Sequence, residues 1–230
     1  MQFAAILFDC DGVLVDSEPI TITVLRDMLA EQGWNMSYDQ CYDLFIGKAT
    51  IDELALIRER TGKDLGMDWI LQFRQRRNQA LSGTVMPIPG IREALPIIQQ
   101  RYPNGIACAS GADRPKLNLQ LGQTGLLEFF QGHIYSGAET ARNKPYPDVY
   151  LAAAQGLGVS ATQCAVIEDS TIGTRAGVAA GATVIAYCPA GQETQLRAAG
   201  AAYTFRRMDE LADLLEKIEQ TQVQDNNAVN

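Results

Sequence analysis

The sequence predicts an α/β fold in which a parallel sheet, with helices on both faces, is interrupted by an all-helical insertion. Short apolar runs alternate with segments of helical periodicity, the pattern of strands joined by crossover helices. Between about residues 19 and 85 the alternation stops and only helical patterns occur. Hydrophobic residues make up 47% of the 230 residues and charged residues 20%, proportions typical of a folded domain.

Six short apolar runs are predicted to be the strands of the sheet. They are Ala4–Phe8, Ile106–Ala109, Ile134–Tyr135, Cys164–Ile167, Thr183–Ala186 and Tyr203–Phe205. Helical periodicity is clearest in Met208–Gln220, where apolar residues recur at i, i+3, i+4 and i+7, and in the alanine-rich Pro147–Leu157. Another helix is expected to begin near Ile91, and Pro96 within it predicts a kink or a later start.

The insertion is predicted to contain three helices. The first ends at Gly33, the second at Gly62, and the third runs from Trp69 to Leu81. The segment SGTVMPIPG, with two prolines and two glycines, is predicted to lead the chain back to the sheet. We therefore expect residues 1–17 and 87–230 to form the core, and residues 18–86 to form a separate helical domain.

Charge and composition exclude several classes of partner. A net charge of −8 argues against a nucleic-acid surface, which needs a basic face. No apolar run approaches the roughly 20 residues of a membrane span, and the N-terminus lacks the features of an export signal. The five cysteines are widely spaced without a CxxC pair, and the single histidine, His133, excludes a histidine-rich zinc site. We expect a cytoplasmic monomer or small homo-oligomer with no nucleic-acid or membrane partner.

Two carboxylates follow the first predicted strand. Asp9 and Asp11 stand two residues apart, and Gly12 permits a tight turn directly after them. In open α/β sheets, ligands bind beyond the carboxyl ends of the strands. Because adjacent carboxylates repel each other, this pair requires a cation or a shared proton.

Three later segments carry polar side chains just after predicted strands. Ser110 and Gly111 follow the strand IACA, and Lys144 lies in the loop after the strand around Ile134. Glu168 and Asp169 follow the strand CAVI. Since the carboxyl ends of parallel strands meet at one edge of the sheet, these residues are expected to share a site with Asp9 and Asp11.

This set of residue types is what phosphoryl transfer through an aspartyl-phosphate requires. Asp9 is a carboxylate nucleophile, and Asp11 can donate and then accept a proton. Asp169, with Asp9 and Glu168, offers hard oxygen ligands suited to Mg²⁺. Ser110, the backbone after it at Gly111, and Lys144 can bind phosphate oxygens. Each feature alone also fits an ordinary turn, helix cap or solvated charge.

The four motifs DCDGVLVDSE, ASG, KPYPD and EDSTIG resemble those of the haloacid dehalogenase superfamily, in its phosphatase and phosphomutase branch. The resemblance implies a Rossmann-like core with a helical cap inserted after the first motif. It implies Asp9 as nucleophile, Asp11 as acid and base, and Ser110 and Lys144 as phosphate ligands. It also implies Mg²⁺ held by Asp9, the backbone carbonyl of Asp11, and Asp169.

Within that family the sequence favours hydrolysis of a small phosphorylated metabolite, either a sugar phosphate or a phospho-acid. The dehalogenases lack the second aspartate, which is present here as Asp11. β-Phosphoglucomutases carry a histidine ten residues after the second aspartate, where this chain has Thr21. Lys48, in the turn FIGKAT of the cap, is the candidate substrate contact, and one of Arg74, Arg76 and Arg77 is the candidate for binding an anionic group on the substrate. For both, a solvated surface charge is the alternative. The mutase remains the alternative within the family.

A phospho-accepting receiver domain is the alternative from a different class. Receiver domains also phosphorylate an aspartate at a strand end, with a metal ion, a hydroxyl and a lysine. They carry that aspartate on a later strand, however, and they lack a helical insertion. The carboxylate pair after the first strand therefore favours an enzyme.

Overall fold

The computed structural model describes residues 3–228. The main strands are β1 (Ala5–Phe8), β4 (Ile106–Ser110), β5 (Ile134–Ser136), β6 (Cys164–Glu168), β7 (Thr183–Tyr187) and β8 (Tyr203–Phe205). They form one sheet in the order β5-β4-β1-β6-β7-β8, and all neighbouring pairs run parallel. All six predicted strands are therefore present, and the predicted α/β fold is confirmed.

Helices cover both faces of the sheet. One face packs against α5 (Ile91–Arg101), α6 (Arg114–Gln123) and α10 (Leu211–Ala228). The other packs against α7 (Asp148–Gly156), α8 (Thr171–Ala179) and α9 (Glu193–Ala198). Side chains alternate along β1, so Ile6 and Phe8 enter the first apolar layer, and Ala5 and Leu7 the second. A strand buried on both faces reads as a continuous apolar run, which is why β1 could be predicted.

The predicted later start of α5 is wrong, because the helix begins at Ile91 and includes Pro96. A proline in a helix removes one backbone hydrogen bond. Here Leu95 and Ile98, on either side of it, are fully buried against the sheet. Packing of that face outweighs the lost hydrogen bond.

Four helices form the insertion: α1 (Glu18–Glu31), α2 (Tyr38–Phe45), α3 (Leu54–Thr61) and α4 (Gly66–Leu81). They share an apolar core of their own, which contains Ile22, Leu25, Met28, Cys41, Phe45, Ile57, Ile70 and Phe73. We call these four helices the cap. The all-helical insertion is confirmed, but the prediction of three helices is wrong because α2 was missed. Its signal is the capping box in which Ser37 and Gln40 bond each other's backbone N–H groups.

Two short strands connect the cap to the core. β2 (Val15–Asp16) pairs antiparallel with β3 (Met86–Pro87), and Val15 lies opposite Pro87. This pair was not predicted, since two residues are too few to show an alternating pattern. The chain therefore leaves and rejoins the core at adjacent points.

Within residues 3–228, none of the helices combines the length and the apolar character that crossing a bilayer needs.

Candidate active site

The carboxyl ends of β1, β4 and β6 meet beneath the cap. Phe8 pairs with Cys108 on one side and with Ile167 on the other, so the residues that follow these strands are neighbours. A cavity of about 340 Å³ lies between the strand ends and the cap. The predicted site residues on its wall are Asp9, Asp11, Lys48, Ser110, Gly111, Lys144 and Asp169. The structure thus brings all of the predicted groups together, with Glu168 directly behind the wall.

Lys144 joins Asp9 to Glu168. Its Nζ lies 2.7 Å from Asp9 Oδ1, 2.7 Å from Glu168 Oε1 and 2.9 Å from the hydroxyl of Tyr150. Burial raises the pKa of Asp9 to about 7 against the opposing attraction of Lys144, and the Glu168 carboxylate adds to the rise. Burial alone would lower the pKa of Lys144, but the two carboxylates hold it above its usual value. The lysine is therefore a fixed positive charge beside Asp9.

Glu168 is fully buried, and protein donors occupy both of its oxygens. Oε1 accepts hydrogen bonds from Lys144 and from the Tyr150 hydroxyl, and Oε2 accepts from the backbone N–H groups of Asp169 and Ser170. A Cβ at Gly173 would lie 1.6 Å from Glu168 Oε1, so only glycine leaves room for the carboxylate. Burial opposes ionisation, but these donors lower the pKa of Glu168. Its contacts are those of a residue that holds Lys144.

Asp11 is held by three side chains that the sequence analysis did not identify. Lys116 Nζ lies 2.7 Å from Asp11 Oδ1, Gln120 Nε2 donates to the same oxygen at 2.9 Å, and the hydroxyl of Ser17 donates to it as well. Burial opposes the change, but these donors lower the pKa of Asp11 to about 2. The signal for the first two is their spacing: they lie one helical turn apart, on one face of α6.

Asp169 faces Gly12 across a narrow gap. Among the described residues, no donor pairs with its side chain, whereas Asp9, Glu168 and Asp169 each place one oxygen within 4.8 Å of the others. Gly12 has a φ of +76°, and a Cβ there would lie 2.0 Å from Asp169 Oδ2. Burial and the charge of Glu18 raise the pKa of Asp169 well above its usual value. Crowded carboxylates with a free oxygen are the donor set that a hard divalent cation fits.

The loop after β4 is tied to the loop that carries Lys144. The Asn143 amide donates to the carbonyl of Gly111 at 3.0 Å, and a Cβ at Gly111 would lie 3.1 Å from Asn143 Oδ1. Ser110 is 1% exposed, and its hydroxyl accepts a hydrogen bond from the backbone N–H of Ala112. These contacts fix the hydroxyl and the lysine on one side of the cavity.

The cap forms the opposite wall. Lys48 lies in the turn after α2, as predicted, and its Nζ is 3.3 Å from Glu53 Oε2. On α4, Arg77 donates to Asp113 Oδ2 at 2.8 Å, and Arg74 Nε lies 3.4 Å from the same oxygen. Arg77 is buried, whereas Arg74 is partly exposed to the cavity. An ion pair therefore joins the cap to the start of α6.

A parallel sheet with aspartates beyond its strand ends, two buried lysines paired with them and a helical cap above them defines a capped α/β enzyme. The sequence model of the haloacid dehalogenase-like hydrolase family matches residues 3–181 of this chain. The chain belongs to this hydrolase family, as its four motifs predicted.

Individual relatives agree with this membership. The chain is 29% identical to protein CbbY of Rhodobacter capsulatus over 80% of this chain and 85% of that one. It is 25% identical to 6-phosphogluconate phosphatase of Escherichia coli K12, over 81% and 83% of the two chains. A solved hydrolase of the same family from Deinococcus radiodurans R1, with bound phosphate and sodium, is 36% identical. It superposes with a TM-score of 0.72 over 93% of this chain and 96% of that one.

Proposed function

We propose that this protein is a Mg²⁺-dependent phosphatase that hydrolyses a small phosphorylated metabolite through an aspartyl-phosphate on Asp9. The observation that carries the proposal is the pairing of each aspartate with its own buried lysine: Lys144 lies 2.7 Å from Asp9, and Lys116 lies 2.7 Å from Asp11. Lys144 occupies one oxygen of Asp9 and leaves Oδ2 for attack. Asp11 stands beside it as the second carboxylate that proton transfer needs.

The reaction has two steps with Asp9 and Asp11 in separate roles. The negative charge of the bound phosphate raises the pKa of Asp11 from about 2, so that this carboxyl can carry a proton. Asp9 Oδ2 attacks the phosphorus, the bond to the ester oxygen breaks, and Asp11 donates that proton to the departing alcohol. In the second step Asp11 accepts a proton from water as the water oxygen attacks the phosphorus. The bond to Asp9 then breaks, which restores the free carboxylate and releases inorganic phosphate.

The carboxylates beside Asp9 fit a magnesium ion. We assign Asp9, Asp169 and the backbone carbonyl of Asp11 as the groups that would hold it, since Asp169 is otherwise unpaired among the described residues and Gly12 keeps the space before it open. When bound, the ion supplies positive charge that offsets the repulsion between Asp9 and the phosphate. The sequence also predicts Glu168 as a ligand, but both of its oxygens already accept hydrogen bonds from protein donors, which favours the role of holding Lys144.

Ser110, Gly111 and Lys144 are assigned to the phosphoryl group. The Ser110 hydroxyl and the backbone N–H of Gly111 are donors at the end of β4, where a phosphate beside Asp9 would lie. Lys144 supplies a positive charge to the oxygens of the transferring group. These donors stabilise the charge that develops during transfer.

The cavity favours a sugar phosphate or a phospho-acid. Its volume of about 340 Å³ is at the small end of the range for ligand sites. Arg74 supplies a cation at the cap wall, which suits a carboxylate or hydroxyl-rich substrate. A relative that covers most of the chain is named as a phosphatase of 6-phosphogluconate, a compound of this class.

Mutase activity is disfavoured by the residue at position 21. The Thr21 hydroxyl is buried on the cavity wall and has no hydrogen-bond partner among the described residues. A hydroxyl there can accept or donate a hydrogen bond, but it does not exchange protons near neutral pH as the histidine of a mutase does. The site is therefore better suited to transferring the phosphoryl group to water.

The test is release of inorganic phosphate from a panel of phosphorylated metabolites, with and without Mg²⁺. The panel includes β-glucose 1-phosphate with a bisphosphate activator, which would reveal the mutase. We expect hydrolysis that requires Mg²⁺, and we expect Asp9→Asn to abolish it while circular dichroism stays unchanged. Retained activity in folded Asp9→Asn would overturn the mechanism.

A further inference from the structure

We infer that Lys116, with Gln120, is a positioning residue that orients Asp11 for proton transfer to the leaving group. This assignment rests on the function proposed above. The four motifs quoted above include neither residue. Both come from α6: Lys116 lines the cavity, and Gln120 is fully buried one helical turn further along.

The contacts on Asp11 are asymmetric. Lys116, Gln120 and Ser17 all bond Oδ1, whereas among the described residues Oδ2 has no donor. Three donors on one oxygen fix the rotation of the carboxylate about its Cβ–Cγ bond. Oδ2 is consequently the oxygen that remains free to exchange a proton with substrate or water.

The side chain of Lys116 is also fixed in place. Its side chain is 7% exposed, and Leu117 and Leu121, its neighbours on α6, are fully buried against the sheet. Asp113 caps the helix by accepting a hydrogen bond from the backbone N–H of Lys116 at 3.2 Å. Because both the helix and the side chain are fixed, Lys116 holds the carboxylate at a constant angle. A misplacement of about 1 Å in such a group can reduce the rate by about 10²-fold.

Two other roles for Lys116 make different predictions. If Lys116 binds the phosphoryl group, replacing it should lower kcat/KM equally for all phosphate esters. If it only stabilises the fold, replacing it should change the unfolding free energy alone. A residue that orients the general acid affects esters according to how much their leaving group needs a proton. A nitrophenolate departs readily without one, whereas a benzyl alkoxide does not.

The experiment compares 4-nitrophenyl phosphate with 4-nitrobenzyl phosphate, which carry the same charge and differ by one methylene. For Lys116→Met we expect kcat/KM to fall about 10²-fold on the benzyl ester and less than about 10-fold on the phenyl ester. Gln120→Leu should show the same selective loss of kcat/KM, but to a smaller extent. If Lys116→Met does not fold, Gln120→Leu provides the test in its place. Lys217→Met, which removes an exposed lysine of α10, is the matched control and should leave both esters unchanged.

Equal losses on the two esters in either folded variant would overturn the assignment while leaving the phosphatase intact. Failure of the wild-type protein to hydrolyse either ester would instead overturn the proposed function, and this assignment with it. A selective loss on the benzyl ester in both variants supports it.

Discussion

Gly12→Ala tests whether Asp169 lies where a metal ligand has to be. Gly12 adopts a φ of +76°, and the added Cβ would lie 2.0 Å from Asp169 Oδ2 and 2.7 Å from its Cγ. Non-bonded heavy atoms are repelled well before that separation, so the carboxylate has to move by about 1 Å. Metal–ligand distances are maintained to within about 0.2 Å, which makes this displacement large.

We expect the apparent dissociation constant for Mg²⁺ to rise about 10- to 100-fold in Gly12→Ala. The left-handed backbone should also reduce the free energy of unfolding by about 1–2 kcal/mol. Phosphate release measured against Mg²⁺ concentration gives the first value. Binding of Mn²⁺ followed by electron paramagnetic resonance gives an affinity that does not depend on activity.

Gly62→Ala separates the two effects. Gly62 ends α3 with a φ of +69°, similar to that of Gly12, and a Cβ there meets nothing within 4 Å. This variant should therefore lose a similar free energy of unfolding and keep the wild-type metal affinity. If Gly12→Ala binds Mn²⁺ as tightly as the wild type, Asp169 is not a ligand. If Gly62→Ala lowers the Mn²⁺ affinity to the same degree, the clash between the added Cβ and Asp169 is not the cause of the loss.

Three further substitutions address the cap, the ion pair beneath it and the support of Lys144. Lys48→Ala should raise KM for the substrate identified in the panel about 10-fold more than KM for 4-nitrophenyl phosphate, because the nitrophenyl group offers few polar atoms for the cap to bind. Asp113→Asn keeps a side-chain oxygen at the N-terminus of α6 but removes the charged, buried partner of Arg77. The unfolding free energy near neutral pH should therefore fall by about 3 kcal/mol. Burial raises the pKa of Asp113, but the charge of Arg77 outweighs burial, and the net shift is downward. The stabilisation is therefore lost as the pH falls, and the unfolding free energies of the wild type and the variant should become equal in acid. Glu168→Gln should weaken inhibition by inorganic phosphate about 10-fold through Lys144, with little change in the Mg²⁺ dependence.

Each of these has a control or an outcome that counts against it. Lys63→Ala removes an exposed cap lysine and should change neither KM. Urea unfolding at neutral and acidic pH measures the Asp113 contribution, and a constant difference between wild type and variant would exclude the ion pair as its source. If Glu168→Gln changes the Mg²⁺ dependence of activity more than the inhibition by phosphate, Glu168 is a metal ligand.

The sequence predicts the sheet well because its four central strands, β1, β4, β6 and β7, are buried on both faces. Burial of this kind produces an unbroken apolar run, such as Ala5–Phe8, that is visible without any partner. Helix α2 was missed because its eight residues are largely polar and aromatic, and only Cys41 and Phe45 are buried. The β2–β3 pair was missed because its stability depends on two distant segments meeting.

The same distinction applies to the site. Asp9, Ser110 and Asp169 could be placed together from the sequence because each lies at or just beyond a strand end, where topology alone brings residues together, and Lys144 lies in the loop that follows β5. Lys116 lies in the third position of a helix, and its partner Asp11 is more than a hundred residues away in the chain. No local pattern marks such a contact. Whether Lys48 reaches a substrate also depends on its pairing with Glu53, which the spacing of the turn does not reveal.

The pairing of β2 with β3 makes the cap an exchangeable part of the molecule. Since Val15 lies opposite Pro87, the two ends of the insertion are held in register by their own pairing. The entropy of closing a loop grows only slowly with its length, so a longer or shorter helical segment between these two residues would cost the core little, provided that it supplies a partner for Asp113 as Arg77 does here. Chimeras that keep β2 and β3 and replace the helices between them would thus retain the chemistry of the strand ends while acquiring another substrate preference.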